Sequence, residues 1–321
     1  MEGGVIKASA KRYTHFGAKR MLSGCLFAAC ISAMAGMCAM FTCACSSGGS
    51  GDTSGESFQI ADTQLSPYSP ENLQGSESAG IDVSTADLGY IHAVGISDSN
   101  LILEVICGDS SYNCSMPNDG SPLCVPLSFG DGDYTINIMQ NTSGNRYIEL
   151  FSASVSTAMA NEFEPFIRPN FFCDYDENSQ CVAKARELAS DCETQADAVK
   201  TIVSYVTDNV SYDDAKAKEL SGKSGYVPNP DETLESGTGI CTDYASLCAA
   251  MLRSIGIPTK IMLGNVAPDN LYHAWIEVYI NGTWTATYID VEQNTWSRLD
   301  PTFLSSGTNL DKVRYTDDYA Y

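Results

Sequence analysis

The chain has 321 residues and a formal net charge of -22, with 40 acidic against 18 basic residues. A chain of this length can bury a sizeable core and is more typical of two domains than of one. The excess negative charge repels nucleic acid and anionic lipid surfaces, so we expect no nucleic-acid partner.

The first 45 residues have the pattern of an export signal. Basic residues precede an uncharged apolar stretch at residues 21–44, which is long enough to span a bilayer. Cys45 then opens a Ser/Gly-rich linker, which resembles a bacterial lipoprotein leader that is cleaved before a lipid-carrying cysteine. Cys43 is a competing site, and an uncleaved span is the other alternative. In every case we expect the remainder outside the cytoplasm, attached to the bacterial cell membrane.

Two different compositions follow the leader. Residues 46–80 are rich in Ser, Gly and acidic residues, which predicts a disordered tether. Residues 81–160 contain short apolar-polar alternations separated by Gly, Asn and Asp turns, which predict a small β-sandwich domain. We expect this domain to be a spacer, a packing partner or a substrate-binding module. Its one histidine, His92, is expected to be at the surface or half-buried.

Eight cysteines follow Cys45, and an exported setting permits disulfides. With Cys241 set aside as a candidate nucleophile, an odd number remains, so at least one more is free or pairs between chains. Cys248 is the best candidate for a free buried thiol. Cys173 with Cys181 could close a short loop, and two of the three cysteines in the sandwich region could pair: Cys107, Cys114 and Cys124.

We expect neither a metal nor a cofactor. No cysteine has the C-x-x-C spacing or neighbouring histidine of a zinc site. The acidic turn at residues 174–178 begins like a calcium loop, but Ser179 stands where such a loop needs glycine. A solvated turn is the better interpretation.

Residues 161–321 have a mixed helical and strand pattern. Apolar periodicity predicts helices at residues 181–189 and 193–209, and a polar loop is expected from Asp213 to Ser224. Tyr226 follows this loop and leads toward the candidate nucleophile. It could line the site or stabilise an oxyanion, although packing is the favoured interpretation.

The stretch at residues 237–258 places a cysteine at the start of a helix. Gly237 and Gly239 loosen the approach, an apolar run continues the helix, and Gly256 with Pro258 ends it. Because apolar residues occupy nearly every face, we expect this helix to be buried all round. Cys241 therefore lies at the positive end of the helix dipole, which favours thiolate over thiol.

A base and a carboxylate come later in the chain. Residues 272–280 alternate like a strand with one apolar face, and His273 leads the opposite face. Asp300 precedes Pro301, which holds it in an extended conformation. A thiol nucleophile needs an imidazole base, and the imidazole needs a partner that fixes its tautomer. Of three histidines, His15 precedes the leader and His92 lies in the other domain, so His273 is the candidate base.

These residues resemble the transglutaminase-like superfamily, a papain-related group of thiol enzymes. The resemblance runs from about Cys192 to Phe303 and rests on four motifs: G-I-C-T-D-Y-A, L-R-S-I-G-I-P, Y-H-A-W-I-E-V-Y and L-D-P-T. It implies Cys241 as nucleophile, His273 as base and Asp300 as the orienting carboxylate. It also implies an α+β core, with the nucleophile helix packed on an antiparallel sheet. The small β-sandwich domain predicted from the pattern of residues 81–160 precedes this core.

One feature departs from many relatives. An extra segment separates the N-G-T-W turn from the L-D-P-T motif, and it contains Asp290 as a competing third member. Asp300 keeps the motif, whereas Asp290 alternates with apolar neighbours and is expected to face solvent. Trp275 shares the strand face of His273, so it is a candidate cleft residue, with ordinary sheet packing as the alternative.

The expected chemistry is acyl transfer from a peptide or carboxamide carbonyl through a thioester at Cys241. Water is the expected final acceptor, which would make the protein peptidase-like or amidase-like, and an amine acceptor would make it a cross-linker. The substrate is expected to be a peptide or protein, with cell-wall peptides among the candidates. The alternative from another class is a non-catalytic cell-surface binding module that retains the fold.

Overall fold

The computed structural model describes residues 58–223, 225–267, 271–280, 284–286, 289–291, 296–306 and 313–321. All of them belong to one compact unit. The apolar leader and its candidate lipid-carrying Cys45 lie outside these residues. Within them, none of the helices combines the length and the hydropathy that crossing a bilayer requires.

The N-terminal part is built from two antiparallel sheets, as the alternating pattern predicts. One sheet has the order β1-β2-β3-β6 and the other has the order β5-β4-β7-β8. The side chains that alternate inward on these strands are buried in a shared apolar core. The strands are β1 (Gln74–Gly75), β2 (Ala79–Asp82), β3 (Tyr90–Gly95), β4 (Leu101–Cys107), β5 (Ser110–Met116), β6 (Leu123–Pro126), β7 (Gly132–Ser143) and β8 (Arg146–Thr157).

The C-terminal part is α+β, as expected. Its antiparallel sheet has the order β15-β12-β11-β16, and helix α5 packs against β11 and β12. The elements are α1 (Gln180–Ala189), α2 (Gln195–Asn209), β9 (Ser211–Tyr212), α3 (Asp214–Leu220), α4 (Pro230–Ser236), β10 (Thr238–Gly239), α5 (Cys241–Ser254), β11 (Thr259–Ala267), β12 (Leu271–Tyr279), β13 (Trp284–Ala286), β14 (Ile289–Val291), β15 (Trp296–Leu299), α6 (Pro301–Ser305) and β16 (Arg314–Ala320).

The boundary predicted between residues 160 and 161 does not separate two cores. A single apolar cluster runs from the N-terminal sheets into the helices. Tyr321 joins the two parts, because its ring meets Tyr112 of β5 edge-to-face with centroids 5.3 Å apart. The N-terminal sheets are therefore part of the scaffold that carries the site.

The disordered tether predicted for residues 46–80 ends earlier than expected. The Phe58 backbone N–H donates to the Glu193 carbonyl at 2.8 Å, and the Thr63 hydroxyl donates to the Ser254 carbonyl at 3.0 Å. Phe58 also packs on the apolar core. Ile60 packs there as well, so two apolar side chains anchor a stretch whose overall composition is polar.

Two further expectations differ from the structure. All eight cysteines in the described part are free thiols, so the suggested disulfides are not formed. The Cys173 thiol instead donates to the Ser246 carbonyl, while Cys248 is buried and free, as expected. His92 is buried rather than superficial, because β3 is flanked by Asp82 of β2 and Cys124 of β6.

Helix α5 is enclosed along most of its length, and its buried Asp243, Ser246 and Arg253 side chains bond to other segments of the chain. Every residue from Asp243 to Ser254 is buried. The Arg253 guanidinium donates to three carbonyl oxygens, those of Thr259 at 2.8 Å, Arg168 at 2.8 Å and Tyr321 at 2.6 Å. Ser246 donates to the Phe172 carbonyl at 2.9 Å. These bonds fix the helix in position as well as direction.

Replacing Arg253 with lysine should destabilise the protein although the charge is kept. An ammonium group cannot reach three separate carbonyls in the geometry of the guanidinium fork, so buried acceptors lose their donors. We expect the free energy of unfolding, measured by chemical denaturation, to fall by about 2–4 kcal/mol. Arg146→Lys, at the exposed β7–β8 turn, is the matched control and should change little. Equal effects of the two substitutions would contradict this assignment.

Candidate active site

Cys241 is the first residue of α5, where the sequence predicted it. It is half-buried, in contrast with the rest of the helix. The first N–H groups of a helix have no partner within it, so the backbone N–H of Cys241 is available to a ligand beside its own thiol. This is the arrangement that an oxyanion on an attacked carbonyl requires.

His273 lies between Cys241 and Asp300. Its Nε2 is 2.8 Å from Asp300 Oδ2, and the Cys241 thiol is near enough to contribute to the pKa of the imidazole. Because Nε2 is engaged by the carboxylate, Nδ1 is the nitrogen left for the thiol. The structure thus brings together the three residues that the sequence singled out.

The electrostatic setting of His273 favours the imidazolium. Burial opposes its charge, but hydrogen bonds to Asp300 and Cys241 outweigh burial and raise its pKa to about 9. Both His273 and Asp300 are almost fully buried, at 3% and 1% exposed. A charged pair of this kind is little screened by water, so the imidazolium is well placed to stabilise a thiolate.

Asp300 is itself held by two further groups. Its Oδ1 accepts the Phe303 backbone N–H at 3.0 Å and so caps α6, and its Oδ2 also accepts the Tyr315 hydroxyl at 3.0 Å. Asp290 lies on β14, which pairs with β13 outside the sheet that carries His273. Asp300 is therefore the carboxylate in contact with the imidazole.

Trp275 does not line the cleft, although the sequence made it a candidate cleft residue. It is fully buried and packs beside His273, with ring centroids 6.4 Å apart. The alternation of β12 correctly predicts one buried face, but the His273 face is also covered, by a second apolar cluster that includes Phe303 and Tyr315. Phe303 stacks on the imidazole at 4.4 Å. Trp275 thus supports the base from inside the protein.

Tyr226 lines the cavity beside Cys241, but its hydroxyl is committed elsewhere. The Tyr226 hydroxyl donates a hydrogen bond to Asp243 Oδ1. Burial is the main cause that raises the pKa of Tyr226 to about 12. The Lys216 ammonium lies over its ring, 4.7 Å from the centroid. Tyr226 therefore contributes a wall to the site, whereas the oxyanion role suggested for it has no free hydroxyl to perform it.

Asp243 has a larger role than the sequence indicated. Its buried carboxylate accepts from the Ile240 N–H at 2.8 Å and from Lys216 Nζ at 2.7 Å, in addition to Tyr226. Lys216 belongs to α3, where the sequence predicted a polar loop. The sequence did contain a signal for this role, since Asp243 is an acidic residue on a helix that is otherwise apolar and buried. A buried carboxylate must have partners. These partners fix the helix turn that presents Cys241.

A cavity of about 740 Å³ opens beside the thiol. Its walls come from the start of α5, residues 220–223 and 225–227, the C-terminal residues Tyr319 and Tyr321, and strands β4 and β5. This volume is in the range of pockets that enclose small ligands or side chains. No group of three His, Cys, Asp or Glu side chains in the described ranges is arranged to hold a metal ion.

Comparison with known proteins defines the class of this region. Residues 182–301, which contain all three residues of the candidate site, match the family model described as the transglutaminase-like superfamily. This match confirms that this part of the chain is transglutaminase-like.

Individual relatives are more distant. The chain is 24% identical to an uncharacterized protein of Mycobacterium leprae, over 50% of this chain and 55% of that protein. It is 27% identical to a UPF0252 protein of Archaeoglobus fulgidus, over 46% and 51%. The chain thus spans about half the length of these two relatives.

Among solved structures, the chain is similar to red sea bream transglutaminase, with 14% identity and a TM-score of 0.32 over 68% of this chain and 49% of that one. It is also similar to a protein from Cytophaga hutchinsonii described as a candidate cysteine protease, with 17% identity and a TM-score of 0.38 over 78% and 74%.

Alkylation should distinguish Cys241 from the other thiols. At mildly acidic pH the His273 imidazolium is fully formed, so iodoacetamide should modify Cys241 first, and His273→Ala should slow the reaction. Mass spectrometry of the digested protein measures each site. Half-buried Cys192 is the matched control, and Cys248 is a second one because burial raises the pKa of its thiol. Equal labelling of Cys241 and these controls would refute a nucleophilic role.

Proposed function

We propose that the protein is a thiol acyl-transfer enzyme that acts on a peptide or carboxamide carbonyl. Cys241 is the nucleophile, His273 the general base and acid, and Asp300 the residue that orients the imidazole. The observation that carries this proposal is the position of His273, which lies 2.8 Å from the Asp300 carboxylate and close enough to the Cys241 thiol for the thiol to contribute to the pKa of the imidazole. The transglutaminase-like match over residues 182–301 supports the same class.

The proposed reaction has two halves. The Cys241 thiolate attacks the carbonyl carbon, and the oxyanion that forms is bound by the backbone N–H of Cys241. His273 gives its proton to the leaving amine as the carbon–nitrogen bond breaks, which leaves a thioester. His273 then accepts a proton from the acceptor, whose oxygen or nitrogen attacks the thioester and releases the thiol.

Water is the proposed acceptor, so the overall reaction is hydrolysis of a peptide or amide bond. An amine acceptor would give cross-linking through the same thioester. The two outcomes differ in product, since hydrolysis yields a free carboxylate and aminolysis yields a new amide.

We also propose that the protein works outside the cytoplasm and is attached to the membrane through lipid on Cys45. The basis is the apolar, basic-flanked leader that ends at this cysteine. The Ser/Gly-rich sequence after Cys45 has the composition of a linker between an anchor and a folded part.

The function can be tested by trapping the acyl-enzyme and analysing the products. The protein is incubated with peptide and glutamine-containing substrates, with and without a primary amine, and mass spectrometry measures the adduct on Cys241 and the released products. We expect a Cys241-linked acyl group and free carboxylate as the main product. Predominant amine incorporation would make the protein a transamidase. Absence of any adduct on a substrate panel, while Cys241 stays unreactive to alkylation, would favour a binding module.

Substitution of the two candidate aspartates tests the third member of the site. Asp300→Asn keeps size and the cap of α6 but permits the wrong imidazole tautomer, so turnover should fall by roughly three to four orders of magnitude. Asp290→Asn is the matched control and should leave turnover and thermal stability nearly unchanged. Loss of turnover in Asp290→Asn, with Asp300→Asn unaffected, would show that the inserted segment supplies the carboxylate.

The anchor is tested separately in a bacterial host. Inhibition of lipoprotein signal peptidase by globomycin, or Cys45→Ala, should prevent maturation and alter the membrane retention of the protein. Unchanged retention after both treatments would support an uncleaved span. An effect of globomycin without an effect of Cys45→Ala would point to Cys43.

A further inference from the structure

We infer that the cavity beside Cys241 is a specificity pocket for a bulky apolar or aromatic side chain of the acyl donor, and that strand β5 forms one of its walls. This inference rests on the proposed function, since it assigns a substrate side chain to the site where Cys241 would act. It also gives the N-terminal sheets a direct part in substrate selection.

The first observation is the chemistry of the lining. Beside the thiol the cavity is bounded mainly by aromatic and aliphatic side chains. These include Tyr212, Leu220, Tyr226, Leu263, Tyr272 and Tyr319. Among the described lining residues the one charged side chain is Lys223, which is largely exposed and pairs with Glu219 at 3.4 Å. A charged substrate side chain would therefore be desolvated in the cavity without a buried partner, which is unfavourable.

The second observation concerns exposed apolar side chains. Of seven large apolar residues that are exposed in the described part of the chain, four line this one cavity. They are Tyr212, Val227, Leu271 and Tyr272, which are 45% to 55% exposed. Such clustering on a strongly acidic chain marks a surface that gains from being covered by an apolar group. The adjacent thiol identifies the occupant as part of the molecule that Cys241 attacks.

The third observation assigns the wall formed by β5. Asn113 and Ser115 point outward from this edge strand and line the cavity, together with Ile102 of β4, which is paired with Ser115. Gly225, on the opposite side of the cavity, lies directly on this wall. A Cβ placed on Gly225 would come within 2.5 Å of the Ser115 hydroxyl, and Gly225 has a φ of +85°. Only glycine lets the two sides of the pocket approach so closely.

A pocket of this kind predicts measurable differences in reaction rate between substrates. Peptides that differ in one residue next to the attacked carbonyl should react at different rates, with phenylalanine or leucine favoured over alanine. The discrimination expected from an apolar pocket is about tenfold to a hundredfold, and aspartate should be disfavoured by more. A panel of peptide vinyl sulfones, which alkylate a thiolate irreversibly, would measure this preference as the rate of Cys241 modification.

The test uses one blocking variant and its matched control. Asn113→Trp places a large ring in the cavity from the exposed face of β5, so the preference for phenylalanine over alanine should fall at least about tenfold. Ser111→Trp lies on the same face of the same strand but outside the lining, and it should retain the preference. A second variant, Val227→Asp at the rim, should weaken reaction with the phenylalanine and aspartate probes and favour a lysine probe.

The outcomes separate this inference from the proposed function. Alkylation of Cys241 by iodoacetamide, which is small, reports whether the thiol is intact in each variant. If wild-type protein reacts with all peptide probes at one rate, or if Asn113→Trp keeps the full preference, the pocket assignment is wrong while the thiol chemistry stands. If iodoacetamide modifies Cys241 no faster than Cys192 and no peptide probe reacts, the proposed function fails, and the pocket assignment fails with it.

Discussion

The burial of helix α5 on all sides is the constraint on which the rest of the structure depends. A helix that carries Asp243, Ser246 and Arg253 into an apolar core must find a partner for each of them. The partners come from α3, the segment before α1, the turn into β11 and the last strand. The hydrogen bonds to the buried polar side chains of this one helix therefore bring together segments that are far apart in the chain. The same bonds fix the position of Cys241 at the helix N-terminus.

The same principle explains the setting of the base. His273 lies on a sheet that packs against α5, and its own ring is enclosed by Phe303 of α6 and by the neighbouring Trp275 of the same strand. Enclosure removes water from around the imidazole, and interactions with Asp300 and Cys241 take the place of that hydration. The imidazole consequently has one orientation, with one nitrogen for the carboxylate and one for the thiol. Its pKa, raised to about 9, follows from this replacement.

Local pattern was enough to predict the parts of the site that are encoded in contiguous sequence. The start of α5, the strand of His273 and the extended backbone of Asp300 before Pro301 each follow from short-range residue chemistry. The rest depends on contacts between distant segments, which periodicity does not report. Asp243 resembled an ordinary first-turn acid because its partner Lys216 lies in a stretch that is polar enough to predict a loop. Trp275 was assigned to the cleft for the same reason, since its covering residues come much later.

The order of the site along the chain bears on how the protein matures. During synthesis α5 is complete before β12, and β16, whose Tyr315 hydroxyl supports Asp300, is made last. A nascent chain therefore carries the cysteine without its base, and then the base without its supported carboxylate. The Tyr315 hydroxyl can reach the Asp300 carboxylate only when β16 has paired with β11. The complete set of hydrogen bonds around His273 and Asp300 therefore depends on β16 as well as on β12 and α6, so it forms after the helix that carries Cys241.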